Sequence, residues 1–183
     1  ITVAPGEEFN PQGRTGARHT DGLTASCPTI INGLRVHQAK MSNCPDFKCY
    51  NVEIEVYKNS SWVGVNLSQQ SATHSAYIYN TVIHNAYRGV YALSANANNV
   101  LENCTLYDIS NLGYLRCTCI NTVAINVGST DYFDTALQTN TWGEDASAQN
   151  QILDGTGTFV DYANGDIRIR ANSAAGMAGA GAF

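Results

Sequence analysis

Asn80-Thr-Val-Ile-His-Asn85 and Asn103-Cys-Thr-Leu-Tyr-Asp108 stand 23 residues apart and share one pattern: Asn, a small residue, a short apolar run, then an amide or acid. Gly89 answers to Gly113 at an offset of 24, and Asn51-Val-Glu-Ile-Glu-Val56 precedes the Asn80 block by 29. A self-similarity that drifts between 23 and 29 predicts a coil whose turns differ in length. A single coil cannot bury its own apolar face, so neighbouring coils must stack into a solenoid. The chain holds nineteen asparagines. With Asn51, Asn80 and Asn103 at equivalent positions, the reading is a column of sharp turns at positive φ, with amides bonded from coil to coil.

Outward from these blocks the pattern is short strands. Val52, Ile54 and Val56 alternate with Glu53 and Glu55; Leu115, Cys117 and Cys119 alternate with Arg116 and Thr118; Val123, Ile125 and Val127 alternate with Ala124 and Asn126. This is a period of two, and no helical period runs through it. Val52, Ile54, Val56, Val82, Leu106, Cys117, Val123 and Ile125 are expected to face the core, with a bend at Cys119–Ile120. The fold class is all-β, a short right-handed parallel β-helix with an extended N-terminal arm. The boundaries are 1–28 for the Pro- and Gly-rich arm or cap, 29–140 for the coils, and 141–183 for a C-terminal coil and small-residue tail. At ~23 residues per coil, Thr29 to Ala136 holds four to five coils and rises ~20–25 Å, with both ends open to association.

Of 183 residues, 44% are hydrophobic and 14% charged, with a net charge of −5. A packed core follows, and duplex nucleic acid, which selects a basic face, is not an expected partner. No stretch reaches the ~20 apolar residues of a membrane helix, so no membrane partner is expected either. The chain begins at Ile1, as a proteolytically trimmed or partial product would, and shows no secretion signal. Six cysteines therefore read as mostly reduced, buried thiols, with a Cys44–Cys49 loop disulfide as the alternative.

Phe159 to Arg170 reads as a turn and a short strand, and Ser173-Ala-Ala-Gly-Met-Ala-Gly-Ala-Gly-Ala-Phe183 follows. This resembles the closing motif of right-handed parallel β-helix proteins, with Ala174 where that motif carries proline. With the coil blocks, the resemblance covers roughly Asn51 to Phe183 and is closest to bacteriophage tailspike-type proteins. It implies a homotrimer, a phage particle, and assembly in the host cytoplasm to a place on the virion surface. The partners would be other capsid or tail proteins and a host surface glycan.

Tailspike-type solenoids cleave polysaccharides with two carboxylates. The candidate catalytic residues for that alternative are Asp131 and Asp134, with Glu144 and Asp145 nearby and Tyr132, Phe133 and Trp142 beside them. Asp in loops more commonly serves turns. Glu53 and Glu55 share a strand face suited to calcium or a basic partner, or to plain solvation. His37, His74 and His84 lack any nucleophile signature, and no phosphate loop, dinucleotide glycines or zinc motif is present. Sequons begin at Asn59, Asn66 and Asn103. The expectation is a non-enzymatic virion structural protein, a trimeric decoration or capsid-stabilising spike without cofactor or resident metal. A polysaccharide depolymerase (lyase or glycosidase) or a glycan-binding adhesin is the alternative.

Overall fold

The computed structural model describes residues 18–19, 23–37, 39–42, 44–56, 61–69, 73–93, 98–152, 156–161 and 166–181. Asn51, Asn80, Asn103, Asn121 and Asn140 all take φ between 47° and 53°, and Gly33 opens the same column at 68°. Each ends one strand and starts the next on a different face. The amides stack in part as the repeats predict: Asn80 Nδ2 donates to Asn51 Oδ1 at 2.9 Å and Asn140 to Asn121 at 2.9 Å, and Asn51 reaches Asn32, the residue before Gly33, at 3.1 Å, whereas Asn103 Oδ1 is buried with no partner among the described residues. A second corner repeats the device at Asn85, Asp108 and Asn126, and a third at Arg116 and Asp134.

Three corners make three parallel sheets, and the molecule is a parallel β-helix. The first sheet runs Arg18–His19, Arg35–Val36, Glu53–Glu55, Val82–His84, Thr105–Ile109, Val123–Val127, Trp142–Gly143 and Asn150–Gln151. The second runs Leu23–Ala25, Ala39–Ser42, Val63–Gln69, Arg88–Ala92, Leu112–Leu115 and Thr130–Phe133. The third runs Thr29–Asn32, Asp46–Tyr50, Ser75–Tyr79, Asn99–Glu102, Thr118–Ile120 and Leu137–Thr139.

The described chain therefore completes six coils, more than the four to five expected. The register shows why. Val82 pairs with Thr105 and Glu53 with Val82, which are the 23- and 29-residue offsets of the sequence. The bare coil is 17 to 19 residues, as in Arg18↔Arg35, Arg35↔Glu53, Thr105↔Val123 and Val123↔Trp142. The first coil also takes in Arg18–His19 and Leu23–Ala25, inside the stretch assigned to an arm; residues 1–17 lie outside the described residues.

The lumen is filled by one cluster that includes Val36, Ile54, Ile83, Leu106 and Ala124 in register on the first sheet. Val52, Val56 and Cys117 join it as expected. Val82, Val123 and Ile125 do not: register places them in the outward rows, one residue off Ile83 and Ala124. Val123 and Ile125 are buried because the C-terminal hairpin, Phe159–Asp161 against Asp166–Ile169, and the helix Ala174–Met177 fold over them. The run Leu115–Cys119 is two strands, not one, bent at Arg116 with φ 59°.

Tyr114 and Tyr132, register partners on the second sheet, stack coil on coil inside the lumen, centroids 4.9 Å apart. The Tyr114 hydroxyl lies 3.1 Å from the carbonyls of Cys104 and Val123, and that of Tyr132 lies 2.9 and 3.0 Å from those of Thr122 and Trp142. Each phenol thus finds acceptors inside the lumen; the Cys104 and Thr122 carbonyls also accept the N–H groups of Val123 and Trp142, both at 2.9 Å, so the hydroxyls add a second bond to them. All six cysteines are free, five of them buried, so Cys44 and Cys49 form no disulfide.

Candidate functional site

Asp131 lies in the strand Thr130–Phe133 and Asp134 at the third corner that ends it, and they do not form a facing pair: one is covered and the other exposed. Tyr132 points into the lumen, so alternation sends Asp131 outward. It is still only 2% exposed, because the segment after Trp142–Gly143 folds over it. The Asp145 N–H donates to Asp131 Oδ2 at 2.9 Å, and the Asp131 N–H donates to Asp145 Oδ2 at 2.9 Å. Burial raises the Asp131 carboxyl to about 6. Asp134 is exposed at φ 48° and accepts from Arg116 Nε at 3.0 Å.

The neighbouring acids act in the same structural way. Glu144 accepts from the Asn126 N–H at 2.6 Å, and Asp145 Oδ1 accepts from the Ser147 N–H at 2.7 Å. Ser147 Oγ in turn accepts from the Tyr132 N–H at 2.9 Å, and Gln149 Nε2 donates to the Gln138 carbonyl at 2.9 Å. Polar side chains and backbone of residues 144–149 thus bond to the last coil's backbone groups, where a further strand would otherwise pair. This end is closed, against the expectation of two open ends.

A second group sits on the outward face of the first sheet. The ligand atoms of Glu53, Glu55 and His84 all lie within 4.8 Å of one another. The register stacks Arg35, Glu53 and Val82 in one row and Glu55 and His84 in the next. His84 Nε2 lies 2.8 Å from Glu53 Oε1, Arg35 Nε lies 3.5 Å from the same oxygen, and Arg35 Nη2 contacts Glu55. Arg35 holds the place a cation would need, so the cluster reads as an ion-pair network. His37 Nδ1 bonds the Glu55 carbonyl at 2.9 Å beside it, and His74 lies apart, next to the third sheet. Of the sequons, Asn59 lies outside the described residues, and Asn66 Oδ1 accepts from the Ser68 N–H at 3.0 Å. The Asn103 amide oxygen is buried.

The remaining chemistry is on the two lateral faces. On the third sheet Tyr50 meets Tyr77 edge to face at 5.9 Å, Tyr77 stacks with Tyr79 at 6.3 Å, and the Tyr77 hydroxyl donates to Glu102 Oε2 at 2.5 Å. Desolvation first, and then this carboxylate, raises the Tyr77 phenol above its usual range. On the second sheet the Arg88 guanidinium lies 4.8 Å from the Tyr91 ring and 5.4 Å from the Tyr87 ring. Arg88, Glu102 and Tyr50 were not singled out from the sequence. Aligning the coils at the observed register would have placed Arg88 and Glu102 in one coil.

Compared with protein-family models, with curated proteins and with solved structures, the chain matches none. Among the described residues no helix is long and apolar enough to cross a membrane.

Proposed function

We propose that the chain is a non-enzymatic structural protein of a phage virion, a short tailspike-like β-helix that assembles as a homotrimer. It would decorate or stabilise the particle surface. One observation carries the reading: where the solenoid leaves large apolar side chains exposed. Among the described residues of the solenoid, Ile30, Trp62, Leu93, Phe133 and Leu137 are each 43–60% exposed; Trp62 immediately precedes the strand Val63–Gln69, and the others lie on the third sheet, at the end of the second or at the corner joining them. On the first sheet the outward positions are taken up by the ion-pair network and the C-terminal hairpin, and the C-terminal end is closed by residues 144–149. The C-terminal cover itself carries Val160 and Met177, 40% and 74% exposed, but five of the seven exposed large apolar residues among the described residues fall on two adjoining faces, which suits lateral association around an axis beside that corner.

The carboxylates also favour a structural role. Asp131, Asp134, Glu144 and Asp145 are each engaged by a backbone N–H or by Arg116. The tyrosine row Tyr50, Tyr77 and Tyr79 is the feature that favours the second reading, a glycan-binding adhesin. Sedimentation equilibrium of the purified chain, with immunolabelling of particles from a producing host, tests the proposal. Three copies of the 19.7 kDa chain and label on particle surfaces are expected. A monomer at micromolar concentration, or sugar release from a host polysaccharide, would overturn it.

A further inference from the structure

Arg88 and Glu102 occupy the same coil, on the two faces that carry most of the solenoid's exposed apolar residues. Arg88 opens the strand Arg88–Ala92 of the second sheet, and Glu102 ends the strand Asn99–Glu102 of the third. Among the described residues neither has an ion-pair partner. Glu102 is held by the Tyr77 hydroxyl, while Arg88 lies against Tyr87 and Tyr91 with its Nε buried and unbonded. In a chain with a net charge of −5, a half-buried arginine with no carboxylate partner among the described residues is a group arranged for an anion from outside.

From this placement we infer that the anion is Glu102 of a second copy of this chain, so that the second sheet of one copy packs on the third sheet of the next. The inference rests on the trimer reading. Rotation about an axis parallel to the solenoid moves no coil up or down, so each level of one copy meets the same level of its neighbour. Level by level, the two faces match. Trp62 on the second-sheet side faces the level of Tyr77 and Tyr79; Arg88 faces Glu102; Phe133 faces Leu137. Leu93, 60% exposed at the corner in the Arg88 coil, then meets its own copies near the axis. A two-fold pair using one face twice would leave either Arg88 or Glu102 unmatched. End-to-end stacking through the C-terminal end is blocked by residues 144–149.

Charge reversal tests this. Arg88→Glu and Glu102→Arg should each weaken the trimer by about ten-fold or more in dissociation constant, because each sets like charges face to face. The double variant should restore it. Where a reversal lowers the β-sheet circular-dichroism signal, Arg88→Gln and Glu102→Gln replace it and should weaken the trimer to a lesser degree. A second measurement fixes the geometry. In a Cys27→Ser background, Arg88→Cys with Glu102→Cys should give disulfide-linked trimers on oxidation, and neither cysteine alone should link chains. A trimer indifferent to both reversals and both glutamines, or one that links through a single cysteine, overturns the Arg88–Glu102 contact and leaves the trimer standing. A monomeric wild-type chain removes the trimer reading and the contact with it.

Discussion

Asn80 Nδ2 donates to Asn51 Oδ1 at 2.9 Å, and both residues sit in the left-handed region, at φ 47° and 53°. The backbone is tied at the same place, the Asn51 N–H to the Tyr79 carbonyl and the Asn80 N–H to that of Glu102. Asparagine is therefore doing two things there, tolerating a conformation that costs most L-residues ~1–2 kcal/mol and contributing a coil-to-coil bond of ~1 kcal/mol. Asn80→Gly keeps the first and loses the second; Asn80→Ala loses both. Urea unfolding should rank wild type above Asn80→Gly above Asn80→Ala, with the alanine variant down by about 2–3 kcal/mol. Equal losses in the two variants would count against this account.

The stacked glycines predict a steeper effect. A Cβ on Gly113 would lie 2.3 Å from the Asp131 carbonyl oxygen, and one on Gly89 would lie 2.5 Å from Leu106 Cδ1 and 2.9 Å from the Gly113 oxygen. The obstacle at Gly113 is backbone, which cannot swing aside. Gly179 is the control: its φ is +71°, but nothing lies within 4 Å of an added Cβ. Gly113→Ala should destabilise by several kcal/mol, and Gly179→Ala by only about 1 kcal/mol, the conformational cost alone. Thermal melts of the two variants side by side check the difference.

The offsets that predicted the solenoid were legible because Asn80, Asn103, Gly89 and Gly113 need particular backbone, and backbone need survives as residue type. The bare coil was not legible. Its corners use Gly33 or Asn121 with unlike flanking residues, so only the two longest coils advertised a period. Alternation also sorts residues into two rows without saying which row faces the lumen. Val123 and Ile125 look like core because they are buried, but what buries them is Phe159 and Ile169 from a later segment. The partner of Asp131 was hidden for the same reason: Asp145 reaches it only once residues 144–149 fold back over the last coil.

Asp131 gives the stability a pH slope. Its carboxyl is raised from 3.8 to about 6, chiefly by burial, with the Asp145 carboxylate adding to the shift. An acid that holds its proton more tightly folded than unfolded stabilises the fold at low pH. That contribution is complete below pH ~4, declines between ~4 and ~6 as the buried group ionises, and is gone above. The span is on the order of 3 kcal/mol. Asp131→Asn should flatten that part of the curve, so the difference between wild type and variant should change between pH 4 and 6.5 and be constant above. Chemical denaturation at half-unit pH steps reads it directly.

The thiols should divide sharply. Cys27 is exposed, whereas Cys44, Cys49, Cys104, Cys117 and Cys119 are buried, and burial pushes the Cys49 thiol up to about 12. Thiolate is the reacting species, so a shielded thiol with a raised pKa reacts slowly on both counts. Alkylation of the native chain at pH 8 should label one cysteine quickly, and alkylation in denaturant without reductant should label six. Fewer than six in denaturant would reveal a disulfide.

The C-terminal hairpin should come away without taking the solenoid with it. Its cluster, Phe159, Ile169, Ala175 and Ala180 on Val123 and Ile125, is separate from the lumen cluster that runs through Ile54, Ile83 and Leu106. Phe159 is fully buried and meets Tyr107 edge to face at 5.2 Å. Truncating such a ring costs about 3–5 kcal/mol, enough to release a short hairpin and helix whose other anchors are few. Among them are the Gly181 N–H to the Asn121 carbonyl at 2.7 Å and Asn140 Nδ2 to the Ala178 carbonyl at 2.8 Å. In Phe159→Ala, hydrogen exchange should accelerate at residues 159–161 and 166–169 while Ile83 and Leu106 keep their protection. A dye for exposed apolar surface should bind the variant, because Val123, Ile125 and Tyr107 are then open to water. If Ile83 and Leu106 exchange as fast as the hairpin, the two clusters unfold as one unit, and the C-terminal segment is part of the solenoid's core rather than a cover for its outer face.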